Sequence, residues 1–88
     1  MIIEVKKLTD EELKKQNVFN WPIWTKEESE FEWYYSDKEK CYILEGDVDV
    51  STDEESVHFE KGDFVIFPKG LSCTWKINSA VRKHYNFE

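Results

Sequence analysis

The sequence predicts an all-β domain, a sandwich or barrel of antiparallel strands, with one short helix near its amino terminus. From Phe31 onward, short segments alternate apolar and polar residues with period two, which is the pattern of half-buried strands. Turn-forming stretches such as STDEES, EKGD, FPKG and NSA separate these segments, so each predicted strand is about five to eight residues long. Short strands at this spacing are typical of β-sandwiches and barrels.

The length of the chain favours a single domain over residues 1–88. A chain of 88 residues is long enough for one small domain and too short for two. Its aromatic residues, four Trp, four Tyr and six Phe, suit a small core, because each can bury about 150–250 Å². No linker, internal repeat or low-complexity segment interrupts the sequence.

The segment LTDEELKKQNVF is the one good helix candidate. Thr9 followed by Glu12 forms a capping-box pattern, and acidic residues at the start with lysines later suit the helix dipole. We expect a helix of at most two turns, Thr9–Asn17, packed on the outside of the barrel.

The predicted strands differ in how their two faces are filled. The first is EFEWYYS, which places Phe31, Trp33 and Tyr35 on one face and Glu30, Glu32 and Ser36 on the other. CYILEGDVDVST, SVHFEKG, SCTWKI and AVRKHYNF also alternate, at least in part. DFVIFPKG is an almost continuous apolar run, as expected for a strand covered on both sides.

The net charge and the number of cysteines limit the binding partners and the cellular compartment that we expect. The formal net charge of −7, from 19 acidic and 12 basic residues, repels the phosphates of nucleic acid and anionic membrane surfaces, so neither is an expected partner. No stretch has the ~20 apolar residues of a membrane span, and MIIEVKKLTD lacks the apolar run of a signal peptide. Cys41 and Cys73 are too few for a disulfide scaffold, so we expect reduced thiols in a cytoplasmic protein.

Two motifs connect the chain to a known superfamily. Gly62, Pro68 and Gly70 form the pattern glycine, five residues, proline, one residue, glycine, and Glu39 to Gly46 (EKCYILEG) forms glutamate, six residues, glycine. The segments WPIW, FEWYY, GDFVIFPKGL and VRKHY also occur in this order. With these segments and the two motifs, the chain resembles small single-domain cupins classed with the ureidoglycine aminohydrolase cupin domain. The resemblance implies a cupin-type double-stranded β-helix, the RmlC-like jelly-roll barrel, in which the two motifs meet inside.

The positions of the cupin metal ligands carry other residues here. By resemblance, the paired histidines of a metal-binding cupin fall on Trp33 and Tyr35, the glutamate on Glu39 and the third histidine on Cys73. Indole cannot ligate a metal and a neutral phenol does so poorly, so too few ligands remain for a divalent site. We therefore expect no histidine-held metal and no cofactor. The chain's histidines, His58 and His84, lie on the polar parity of their strands and are expected to face outward.

Strand parity predicts which side chains point into the barrel. These are Phe31, Trp33, Tyr35, Glu39, Cys41, Cys73, Trp75, Lys83 and Tyr85. A carboxylate there is costly unless protonated or paired, and Lys83 is the best partner available to Glu39. One interpretation is a filled aromatic core with a structural Glu39–Lys83 pair, and the other is a pocket that uses these groups. Cys73 is an inert buried thiol, a thiol activated by Lys83, or a disulfide partner of Cys41.

The pocket interpretation gives a candidate ligand-binding set. Its members are Trp33, Tyr35, Glu39, Cys73, Trp75 and Lys83. These residues suit a small polar or carboxylated molecule bound without the usual metal. Two alternatives stay open: an aminohydrolase-type enzyme acting on a ureido or related nitrogenous compound, and a structural or protein-interaction module.

The sequence also favours a homodimer, because Trp21, Ile23 and Trp24 form an apolar cluster that a monomer would expose.

Overall fold

A computed structural model describes residues 1–88 and confirms the all-β prediction. The chain forms seven strands, one α-helix and one turn of 3₁₀ helix. In chain order these are β1 (Glu4–Lys6), α1 (Asp10–Lys15), the 3₁₀ turn (Val18–Asn20), β2 (Ile23–Lys26), β3 (Ser29–Tyr34), β4 (Glu39–Ser51), β5 (Ser56–Glu60), β6 (Phe64–Phe67) and β7 (Ser72–Phe87). Every strand pairing is antiparallel.

Two long strands, β4 and β7, run through the whole barrel and pair with each other along their length. Their register extends from Glu39 opposite Phe87 to Ser51 opposite Thr74. One half of this ribbon is flanked by β6 and β1 on the β4 side and by β2 on the β7 side. The other half is flanked by β5 on β4 and by β3 on β7. The ribbon therefore connects the two halves of the sandwich.

The predicted turn NSA does not end a strand. SCTWKI and AVRKHYNF are joined into one strand of 16 residues, β7, which passes through Asn78, Ser79 and Ala80. Register shifts between β4 and β7 lie at the same place, around Glu45 to Val48. The bend that the sequence suggested as a turn is made instead by β-bulges, which kink paired strands without separating them. The short strands β1 and β2 were not predicted, because three or four residues are too few to show alternation.

The helix begins where the capping box predicts and is shorter than expected. The Glu12 backbone N–H donates to Thr9 Oγ1 at 3.2 Å, and the Thr9 N–H donates to Glu12 Oε1 at 3.0 Å. The helix ends at Lys15, because Asn17 adopts a left-handed conformation with φ of 62°. Leu13 is buried beside Phe64 of β6, so the helix packs on the outside of the barrel, as predicted. With six residues, α1 falls far short of a membrane span, and no helix of the chain is long and apolar enough to cross a bilayer.

The main core lies between the two halves of the sandwich. Its fourteen buried residues are Ile3, Tyr35, Cys41, Ile43, Val48, Val50, Phe59, Val65, Phe67, Leu71, Cys73, Trp75, Ile77 and Val81. A second, smaller cluster of Leu13, Val18 and Phe64 lies outside the barrel, beneath α1 and the 3₁₀ turn. The alternation of β4 shows which face of the sheet meets the main core, since Val48 and Val50 are fully buried while Asp47 and Asp49 face out.

The apolar segment around β2 does not form the exposed cluster from which the homodimer was inferred. The Trp21 ring packs against Phe64 on the outside, with ring centroids 6.3 Å apart. Trp24 points inward and meets Trp75 edge to face at 6.1 Å. Ile23 alone of the three stays strongly exposed. The homodimer stays a prediction, without the support of that cluster.

One of the two histidines departs from its predicted exposure. His58 is exposed on β5, as expected. His84 lies on the outer face of β7 but is only 7% exposed, because the amino-terminal segment covers it. Its Nδ1 lies 2.9 Å from the carbonyl oxygen of Trp21, and Phe19 packs edge to face against its ring.

Gly46 marks the bulge in β4, and its replacement by alanine should destabilise the fold. It has φ of 122°, and an added Cβ would lie 2.8 Å from the Cα of Val81 on the facing strand. Gly62 is a matched control, with φ of 93° and no atom within 4 Å of such a Cβ. Both changes incur a conformational penalty of about 1–2 kcal/mol. Gly46→Ala adds an overlap with backbone of about 1–3 kcal/mol, so urea denaturation should show the larger loss there. Equal losses would contradict this role for Gly46.

Candidate functional site

A cavity of about 250 Å³ opens into the barrel at one end. Seven of its nine lining residues are apolar, and all seven are aromatic. The lining consists of Trp24, Phe31, Trp33, Tyr35, Glu39, Trp75, Lys83, Tyr85 and Phe87. Walls made of rings present flat faces and edges, which suit a planar molecule.

The register of β3 against β7 builds one wall of the cavity. Phe31 lies opposite Trp75 and Trp33 opposite Cys73, so inward-facing side chains of both strands meet on one face. The Phe31 ring stacks on the Trp75 ring, with an interplanar angle of 15° and centroids 6.1 Å apart. Trp33 and Phe87, 48% and 46% exposed, lie where the cavity meets solvent.

Glu39 and Lys83 form a buried ion pair in this cavity. Lys83 Nζ donates to Glu39 Oε2 at 2.8 Å, and the residues are 5% and 2% exposed. The ammonium also lies 4.9 Å from the ring centroid of Trp24 and 4.6 Å from that of Trp75. Two indole faces and a carboxylate therefore surround one positive charge. Their attraction to the ammonium offsets part of the solvation by water that it loses on burial.

The second oxygen of the same carboxylate is also occupied. The Tyr35 hydroxyl donates to Glu39 Oε1 at 2.8 Å. Burial, followed by the negative charge of Glu39, raises the pKa of Tyr35 well above its usual range. Tyr35 is therefore a permanent hydrogen-bond donor, and Tyr35, Glu39 and Lys83 form a polar triad that satisfies the charge within the aromatic cavity.

Cys73 does not line this cavity, contrary to its place in the predicted set. Its Sγ donates to the carbonyl oxygen of Trp33 at 3.7 Å, and it lines a separate, mostly polar depression together with Ser72 and Thr74. Burial raises the pKa of Cys73 to about 11 and that of Cys41 to about 12. Both are free thiols. The structure therefore favours the inert-thiol interpretation over activation by Lys83 or a disulfide.

The structure brings the other five predicted residues together. Trp33, Tyr35, Glu39, Trp75 and Lys83 all line the cavity. Phe31 and Tyr85, which parity also placed inward, join them. The predicted ligand-binding set omitted Trp24 and Phe87. Phe87 follows the same parity as Lys83 and Tyr85 and could have been included, whereas nothing in the sequence around Trp24 shows which face it takes.

The side chains at the cupin metal positions do not fit a resident metal ion. Trp33 has no ligand atom, Tyr35 keeps its proton, and both oxygens of Glu39 are engaged in hydrogen bonds. The thiol of Cys73 is protonated at neutral pH. A divalent cation would have to displace Lys83 and remove these protons, with no neutral imidazole to help hold it.

A different group of metal-ligand types lies on the outer face of β4 and β5. Donor atoms of Asp47, Asp49 and His58 all lie within 4.8 Å of one another. Each ring nitrogen of His58 already faces a carboxylate, with Nδ1 2.9 Å from Asp49 Oδ1 and Nε2 3.4 Å from Asp47 Oδ2. Asn78 Nδ2 donates to both carboxylates, at 3.0 and 2.8 Å. The cluster is thus satisfied as an ion-pair network.

Comparison with known families and structures identifies the family and the fold of the chain. Residues 13–85 match the family described as the EutQ-like cupin domain. The chain belongs to that cupin family. A DUF861 family protein from Thermotoga maritima is 53% identical, with a TM-score of 0.96 over 99% of this chain and 100% of that one. The cupin resemblance and the cupin β-barrel are thereby confirmed.

More distant structures share the cupin fold. The EutQ protein of Clostridium difficile is 20% identical with a TM-score of 0.68, over 97% of this chain and 66% of its own. A putative ethanolamine utilization protein Q from Salmonella typhimurium is 21% identical with a TM-score of 0.67, over 99% of this chain and 69% of its own. Comparison with curated proteins gives no match.

Removal of the Lys83 charge should destabilise the protein strongly. The sequence left a choice between a structural pair and a pocket, and the structure contains both the pair and the cavity. Lys83→Met leaves Glu39 buried without its counter-charge, so we expect a loss of about 3–5 kcal/mol in the free energy of unfolding. Adding Glu39→Gln to Lys83→Met should recover part of that loss in urea denaturation. A Lys83→Met variant as stable as the parent would contradict the pair's importance.

The His58 network should show itself in an NMR titration. The hydrogen bond to Asp49 is the main cause that raises the pKa of His58 above 6.5, while hydrogen bonds from Asn78 and His58 lower the pKa of Asp49 below 3.8. The contribution of protonated His58 to the stability of the fold is complete below pH 6.5 and is lost as the pH rises through the raised pKa of His58. The contribution of ionised Asp49 is present above pH 3.8 and is lost as the pH falls through the lowered pKa of Asp49.

Asp49→Asn should therefore lower the titration midpoint of the His58 ring. Asp53→Asn removes the same charge from the loop after β4 and serves as the control, since Asp53 makes no hydrogen bond to His58. Equal midpoints in the two variants would show that the network does not act through Asp49.

Proposed function

We propose that this cupin binds a small, planar, polar molecule inside its barrel, held by aromatic walls and the Glu39–Lys83 pair instead of a metal. The observation that supports the proposal is the cavity with aromatic rings around a buried ion pair. A core that existed only for stability would gain by filling this volume, and an apolar pair would avoid the desolvation of two charges. The chain retains both features together.

The size of the cavity limits the ligand. Its volume of about 250 Å³ is just below the ~300–1,000 Å³ of sites for drug-sized molecules, so one ring or a pair of fused rings fits best. Trp33 and Phe87, both about half exposed, provide edges at the entrance against which such a ring can pack.

The polar groups of the cavity define what the ligand must carry. Lys83 donates to Glu39, and its ammonium has further N–H groups for a carboxylate or carbonyl oxygen of a ligand. The oxygens of Glu39 have free lone pairs that can accept an N–H or O–H. A cationic ligand is disfavoured, because the Lys83 ammonium already occupies the space between the indole faces.

The two alternatives receive less support from the residues. An aminohydrolase of the cupin type would rely on a metal to polarise its substrate, and the donor set at the cupin positions does not fit one. A purely structural or interaction module would not require an open cavity next to a buried charge pair. Two free thiols are in keeping with a reducing compartment, so the cytoplasmic expectation is kept as part of the proposal.

A thermal-shift screen with matched variants tests the proposal. The screen uses small aromatic carboxylic acids, amides and ureido compounds, and we expect at least one to raise the melting temperature. Trp33→Ala removes a wall at the exposed entrance and should weaken binding about tenfold or more. Tyr34→Ala is the control, because Tyr34 is 60% exposed, adjacent in sequence and outside the cavity lining.

Two results would count against the proposal. The first is a screen in which no compound of these classes shifts the melting temperature. The second is a shift that Trp33→Ala leaves unchanged, since the ligand would then bind elsewhere on the surface.

A further inference from the structure

We propose that Lys83 reacts with small aromatic aldehydes in the cavity to form a protonated Schiff base. This inference rests on the proposed function, because the aldehyde must first enter the barrel. It goes further in assigning Lys83 a covalent role toward carbonyl compounds, rather than a hydrogen bond alone.

The position of the amine supports the proposal. Lys83 is the only buried one of the chain's eleven lysines, and its side chain lines the aromatic cavity. In its ion pair Lys83 is an ammonium, which becomes a nucleophile only after it gives a proton to an acceptor, and Glu39 is an acceptor in contact with it. A molecule bound among the rings lies next to Nζ. The two reacting groups are then already in contact, so the reaction does not depend on a random encounter in solution.

The reaction preserves the charge that the site is built to hold. The ammonium and the aldehyde give an iminium ion and water: a carbon–nitrogen double bond replaces the carbonyl double bond. The aldehyde oxygen leaves as water with two protons that were on nitrogen. One positive charge is present before and after. The indole faces of Trp24 and Trp75 and the carboxylate of Glu39, which now surround the ammonium, therefore stabilise the iminium in the same way.

Glu39 is placed to move the protons. Its Oε2 lies 2.8 Å from Nζ, so it can take a proton from the ammonium and expose the nitrogen lone pair for attack. The same oxygen can return that proton to the hydroxyl of the carbinolamine, which then leaves as water. Tyr35 is a positioning residue, because its hydroxyl holds Oε1 at 2.8 Å and so keeps Oε2 directed at Lys83.

The walls select the carbonyl compound. All apolar lining residues are aromatic and the volume is about 250 Å³, so an aldehyde on a single aromatic ring fits the space. Benzaldehyde is the simplest probe. Benzyl alcohol has nearly the same shape but no carbonyl group, and it reports on non-covalent entry alone.

Reductive trapping tests the inference. The protein is incubated with benzaldehyde and cyanoborohydride at neutral pH, and the modified lysines are located by peptide mass spectrometry. We expect one benzyl group per chain, on Lys83, with an initial rate at least about tenfold above that of any surface lysine. Lys83→Arg keeps a cation beside Glu39 but has no primary amine to alkylate, and should give only the slow surface background. Glu39→Gln, whose folding is checked by circular dichroism, also removes the counter-charge and so favours the unprotonated amine. Trapping is therefore measured over a pH series, and the rate per unprotonated Lys83 should fall about a hundredfold.

The outcomes separate this inference from the proposed function. If benzyl alcohol raises the melting temperature while trapping at Lys83 is no faster than at surface lysines, the pocket binds and the Schiff base is overturned. If the alcohol gives no shift and Lys83 is not trapped preferentially, both the inference and entry of such rings into the pocket are overturned. An unchanged rate per unprotonated Lys83 in folded Glu39→Gln would overturn the proton-transfer role of Glu39.

Discussion

The burial of one positive and one negative charge inside an aromatic barrel is the interaction on which the structure depends. Glu39 comes from the start of β4 and Lys83 from the second half of β7, so their contact requires the register of the two longest strands. Tyr35 and the two indole rings then complete the environment of the pair. A slip of one residue in either strand would turn one of the charges to the opposite face, which makes register a matter of electrostatics as well as packing.

The residues at the cupin metal-ligand positions take part in this same interaction. In a metal-binding cupin, a cation balances the motif glutamate, and in this chain the Lys83 ammonium does so. Tyr35, at a histidine position by resemblance, donates to the carboxylate where an imidazole would have bound metal. The same scaffold can therefore retain the glutamate with a protein cation in place of an ion. Family membership gives the fold, and these residues set the chemistry of the barrel interior.

The sequence predicted the parts of the site that follow strand parity. Alternation placed Glu39, Lys83, Tyr35 and Trp75 inside, and the rule that a buried carboxylate needs a partner identified Lys83. Trp24 could not be found in this way, since β2 has four residues and its inward direction is set by pairing with the far end of the chain. Parity also cannot tell an inward residue that lines an open cavity from one that packs behind it, which is why Cys73 was included.

Strand parity also does not show when an outward-facing side chain is buried by another segment of the chain. The outer face of β7 carries His84, and only the path of the segment from Phe19 to Trp21 makes that position buried. The bulges at Gly46 had a similar effect on the strand limits, because they bend β4 and β7 where the sequence suggested a turn. Both are long-range consequences of the fold, and no local pattern of residues records them.

The place of β7 in the sheet has a consequence for how the chain reaches its native state. β7 is the last strand in the sequence, yet it pairs with β2, β3 and β4, so contacts of residues 23–34 wait for residues 72–84. Folding dominated by such distant pairings belongs to the slow regime of milliseconds to seconds. During synthesis, Glu39 and the aromatic residues of the first half leave the ribosome before Lys83 does. The barrel and its charge balance can therefore form only after β7 has left the ribosome.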